Sequence, residues 1–130
     1  MGEGKRHSID PIYLLIGVLF AGAILVGCAE TPINGAPVDH ARIRDGVYEG
    51  SFRGGPNKAA VQVTIRDNNI YEIEILEHQA WKGHIAEKTI VARIIASQST
   101  RVDAVSGATN SSRVIMNAVQ KAIEKAYIDE

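Results

Sequence analysis

The sequence predicts an α+β domain, a small antiparallel sheet of one hairpin plus one or more further strands, with two helices packed on one face. Three observations carry this expectation. Val61, Val63 and Ile65 alternate with Gln62, Thr64 and Arg66, and a second alternating run follows Asp67-Asn68-Asn69. The apolar spacing then changes to threes and fours over residues 85–98 and again over 111–127. Strands followed by helices, instead of alternating with them, segregate the helices to one side of an antiparallel sheet.

In chain order, the first ten residues are polar and carry Lys5 and Arg6, diluted by Glu3 and Asp10. The uncharged run IYLLIGVLFAGAILVG, residues 12–27, leads into Cys28. Its ending LVGC resembles the lipobox of bacterial lipoprotein signal peptides. That resemblance implies a diacylglycerol on the Cys28 sulfur, cleavage just before it and acylation of the new N-terminus. Sixteen residues at helical rise span roughly 24 Å, short of the roughly 30 Å hydrocarbon core, whereas two or more acyl chains anchor stably. The alternative is an uncleaved, slightly short transmembrane anchor. Either reading puts the remainder on the extracytoplasmic side of a membrane. The chain thus divides into a signal segment or anchor (1–28), a solvated tether (29–41) with two Pro, a Gly and no periodicity, and a folded domain (42–130). About ninety residues can build a core without staples.

Residues 45–54, DGVYEGSFRG, set Val47, Glu49 and Ser51 against Tyr48 and Phe52 and predict the first strand. Gly50, Gly54 and Gly55 are expected to punctuate turns. The hairpin follows: residues 59–67, a turn at Asp67-Asn68-Asn69 whose residues tolerate positive φ, and IYEIEILEH, with Tyr71, Ile73 and Ile75 opposed to Glu72 and Glu74. Arg66 is placed to pair with one of those glutamates. In the first helix Ala86, Ile90, Val91, Ile94 and Ile95 form the apolar stripe. In the second it is Val114, Ile115, Ala118, Val119, Ala122, Ile123 and Ala126, with Asn117 and Gln120 outside it.

Composition excludes several functions. A net charge of −1 offers no basic face for nucleic acid. The single Cys excludes an internal disulfide and any Cys-based zinc site. No nucleophile sits near a His/acid pair in a recognisable motif, so no catalytic residue is assigned.

One segment stands apart. Residues 103–109, D-A-V-S-G-A-T, crowd small and hydroxyl side chains immediately before the last helix. They resemble the flavinylation motif of the FMN-binding domain family, an acid followed by S/T-G-A-T. D-G-x-Y-x-G at residues 45–50, the hairpin, and the Ile-rich helix ending at Gln98 occur in that family's order. The resemblance covers about residues 45–127. It implies that a flavin transferase uses FAD to place FMN on the Thr109 hydroxyl through a phosphoester, with Asp103, Ser106, Gly107 and Ala108 as recognition positions. It further implies electron relay between a membrane or extracytoplasmic donor and acceptor. Many relatives have Thr or Val after the acceptor; here Asn110, Ser111 and Ser112 follow, as candidate cap or phosphate-binding residues. The physics agrees, since a hydroxyl at a helix N-terminus lies beside unpaired backbone N–H groups and the positive end of the dipole. The competing reading of the same residues is an ordinary capped helix start. Two further classes stay open: a module that holds FMN or another ligand noncovalently, and a structural envelope lipoprotein.

Between hairpin and first helix, EHQAWKGH (77–84) supplies Trp81 to stack on a flavin ring and Lys82, His78 or His84 as donors, or simply forms a surface loop. Two histidines six apart are a weak metal signal, and no metal site is expected.

Overall fold

The hairpin is the best-specified part of the fold. The computed structural model describes residues 30–80 and 84–128; the apolar run 12–27, Cys28 and Trp81 lie outside them. Strands β1 (Gly46–Gly54), β2 (Asn57–Arg66) and β3 (Asn69–Gln79) form an antiparallel sheet in the order β1-β2-β3. Ala59, Val61, Val63 and Ile65 of β2 all point into the core, as the alternation predicts. Two helices, α1 (His84–Ser97) and α2 (Thr109–Ala126), complete the domain. The second lies on β1 and β2, and the first on β3 and the flank of the second. Among the described residues no helix is long and apolar enough to cross a membrane.

Asp67 (φ 52°) and Asn68 (φ 60°) both adopt left-handed backbone, as a two-residue turn matched to strand twist requires. The Asp45 carboxylate accepts hydrogen bonds from both their backbone N–H groups, at 2.9 and 2.8 Å. Asn68 Nδ2 donates to the Ile43 carbonyl at 2.7 Å. Asp45→Ala is expected to cost about 1–2 kcal/mol through loss of the paired bonds, read as a lowered urea midpoint with an unchanged slope.

β3 departs from simple alternation. Between Thr64 and Ile65 the register slips, so that Ile65 faces Ile70 while Thr64 faces Glu72. Tyr71 is therefore the extra residue of a bulge. Ile70 and Ile73 point inward, and Tyr71, expected beside Ile73, is exposed. Arg66 covers the Tyr71 ring, 4.0 Å from its centroid, instead of pairing with Glu72 or Glu74. Gln98, in left-handed backbone (φ 51°) just past α1, pins the bulged strand. Its side chain accepts from Ile70 N at 2.8 Å and donates to Ile70 O at 3.0 Å, as a neighbouring strand would.

Gly50 does not punctuate a turn: it sits mid-strand, and a Cβ there would overlap the backbone of Ala118 and Ala122 in α2. Gly54 and Gly55 do end β1 and open the turn into β2.

The stretch read as a solvated tether keeps most of its side chains exposed, but it is not free of the fold. From Thr31 it is packed as a strap across the fold, with Thr31 and Val38 buried. Val38 N donates to Gln98 O at 2.9 Å and Thr100 N to Ala36 O at 3.1 Å. Asn117, expected outside the apolar stripe of α2, is buried because its Nδ2 donates to Pro32 O at 2.7 Å and its Oδ1 accepts from Asn34 N at 3.1 Å. Gln120 accepts from Thr100 Oγ1 at 2.6 Å. The strap satisfies Asn117 on this polar flank of α2, and Thr100, itself bonded to Ala36 of the strap, satisfies Gln120.

Candidate functional site

The segment before α2 is built by a turn and a latch. Ala108 N donates to Val105 O at 3.0 Å across Ser106-Gly107. Gly107 has φ 79°, and nothing lies within 4 Å of where its Cβ would be. Glycine is thus suited by conformation, and the turn stands clear of neighbouring atoms. Ser112 is the latch: its buried Oγ accepts from Val105 N at 3.0 Å and donates to Ala108 O at 2.7 Å.

α2 begins at Thr109, two residues earlier than the sequence predicts. Ala108 holds the N-cap position, and no side chain caps the helix. Alanine has no oxygen to offer, so the capped-start reading of Thr109 and its neighbours is overturned. The first turn also contains no acidic residue, leaving the positive end of the dipole without compensation from its own side chains. Of the four hydroxyls in 106–112, Ser111 and Ser112 are buried while Ser106 and Thr109 are exposed. Thr109 is the one inside the first helical turn, and exposed Asn110 stands beside it.

Asp103 is exposed at the head of the segment, and Arg93 Nη1 of α1 donates to its carbonyl at 2.7 Å. There the fold opens a cleft of about 790 Å³ lined by Ile33, Arg93, Ala96, Arg101, Val102 and Asp103. The sequence reading missed Arg93, Arg101 and Ile33. They come from the helix, the loop after it and the strap, and no local pattern links them.

The residues picked out between hairpin and helix fare differently. Trp81 and Lys82 lie outside the described residues. His78 and His84 come together around Glu87, whose Oε1 lies 2.8 Å from His78 Nδ1 and 2.9 Å from His84 Nδ1. Sequence pattern puts Glu87 off the apolar stripe of its helix and gives no sign that it joins the two histidines.

Residues 54–124 match the FMN-binding domain. An "Uncharacterized protein" of Treponema pallidum (strain Nichols) is 35% identical over 91 residues, 65% of this chain and 24% of that protein. The NADH:fumarate oxidoreductase of Klebsiella pneumoniae (strain 342) is 26% identical over 99 residues, 75% of this chain and 11% of that protein. The chain therefore spans a quarter or less of these relatives. The match takes in β2, β3, α1, the whole of 103–109 and all but the end of α2, more than half of the sequence, and the chain belongs to the FMN-binding domain family.

Proposed function

We propose that this chain is an exported, membrane-tethered electron carrier whose FMN is joined to Thr109 by a phosphoester. The observation that carries the reading is an exposed threonine hydroxyl in the uncapped first turn of α2, behind an unobstructed Gly107 turn. A phosphate on Thr109 Oγ1 would meet the N–H groups and positive dipole end of the helix start, the environment that stabilises anions. The residues present fit the group. In the attachment step Thr109 Oγ1 bonds to the FMN phosphorus of FAD, the pyrophosphate bond breaks, AMP leaves and the hydroxyl proton passes to a base of the flavin transferase. Asp103, Ser106, Gly107 and Ala108 present the acceptor to that enzyme.

When bound, the flavin supplies the redox chemistry. The chain's contribution is positional. Ile33 and Val102 would offer an apolar wall in the cleft beside Asp103, and Arg93 and Arg101 would supply positive charge there to a flavin, which gains negative charge on reduction. Trp81 is a further candidate to stack on the ring. Lipidation at Cys28 sets the location. The electron donor and acceptor then meet the flavin on the extracytoplasmic side of that membrane.

Co-expression with a flavin transferase tests this. Intact mass is expected to rise by one FMN minus water, in a yellow protein that dithionite bleaches and air or a quinone analogue restores. Flavin released on denaturation indicates noncovalent binding, and a colourless, unmodified chain removes the cofactor from the reading.

A further inference from the structure

We propose that His78, His84 and Glu87 form a binding site for a divalent transition metal of the zinc class, with a fourth position open to water. His78 stands at the end of β3, and His84 and Glu87 share the first turn of α1 at i,i+3 spacing. Each offers one ligand atom, and the three lie within 4.8 Å of one another. Two imidazole nitrogens and one carboxylate oxygen suit zinc, cobalt, nickel or copper, whereas magnesium and calcium take oxygen ligands.

The packing of His78 points the same way. Its side chain is 1% exposed, so the surrounding fold fixes its Nδ1 against Glu87 Oε1 at 2.8 Å. In the Nδ1–H tautomer the ring donates to Glu87; in the Nε2–H tautomer two lone pairs face each other, and a cation between them turns that repulsion into shared coordination. Ligand atoms around zinc at about 2.0–2.1 Å are about 3.3 Å apart, so on binding the two histidine–Glu87 edges open by about half an ångström, while the His78–His84 edge, within 4.8 Å, closes. His84, 80% exposed, is free to make that adjustment.

The metal would tie the end of β3 to the start of α1. Metal-free full-length chain in detergent, carrying Thr109→Ala so that no covalent flavin is present, is titrated with Co²⁺ and then Zn²⁺. One equivalent of Co²⁺ is expected to give visible d–d bands of four-coordinate intensity, bleached by one equivalent of Zn²⁺, and saturating Zn²⁺ is expected to raise the melting temperature. His84→Ala and Glu87→Gln, both outside the core, are expected to weaken binding by more than the roughly 10–100-fold that outer-shell changes cost. Absence of saturable one-equivalent binding, or equal affinity in both variants, overturns the site. Neither outcome depends on the flavin reading, which the mass measurement tests separately.

Discussion

Thr109→Ala is expected to abolish covalent flavin completely while leaving the fold intact. The side chain is exposed and makes no capping bond, and alanine is a good helix former, so stability should stay within about 0.5 kcal/mol of wild type. The loss is chemical: without Oγ1 no phosphoester forms. Thr109→Ser keeps the hydroxyl in the first turn and should retain modification, and Thr109→Val, nearly the same shape without an oxygen, should not. Ser106 is the decisive control, being the other exposed hydroxyl of the segment. Ser112→Ala is no substitute for Ser106→Ala in this comparison, because removing the Ser112 hydroxyl leaves Val105 N without its acceptor and disturbs the turn itself. Intact mass of the four variants, each made beside a flavin transferase, measures the outcome. A flavin adduct that survives in Thr109→Ala and disappears in Ser106→Ala would place the bond on the wrong side of Gly107 and refute the assignment.

Much of this architecture was legible from local pattern. Period-two alternation in β2, the Asp67-Asn68 turn and the apolar stripe of α2 each depend on residues close in sequence, where sterics and burial act together. The order of the motif residues in 103–109 was equally plain. What the sequence hid was non-local. The strap from Thr31 to Val38 has no periodicity because it does not form an element; it is held by Asn117, Gln98 and Thr100, and those partners are 60 or more residues away. The bulge at Tyr71 breaks the alternation in a way that only pairing with β2 reveals. Glu87 reads as a solvent-facing helix residue until β3 brings His78 against it. Within the candidate site, the hydroxyl proposed as acceptor could be named from sequence, whereas Arg93, Arg101 and Ile33 meet only because helix, loop and strap converge.

The same distinction makes Gly50 the position where the smallest change should do the most damage. In sequence it is one glycine among several; in the fold it is where α2 lies directly on β1. A single methyl group there would overlap the carbonyl of Ala118 and the amide of Ala122. Both obstacles are backbone, so no side-chain rotamer can relieve them. Gly50→Ala must lift α2 from the sheet, opening gaps against Val61 and Val63, or unfold. Overpacking of this kind costs about 3 kcal/mol or more, a fall of roughly 12–24 °C in melting temperature for a domain of this size. Gly107→Ala provides the contrast: it meets open space and pays only the left-handed backbone strain, about 1 kcal/mol. Gly50→Ala should also lose flavin in proportion to unfolding, because the first turn of α2 holds Thr109 only while the helix is seated. Thermal melts of the two variants separate the effects. If Gly50→Ala melts within a few degrees of wild type, α2 does not rest on β1 at this point, and the placement of Thr109 derived from it fails as well.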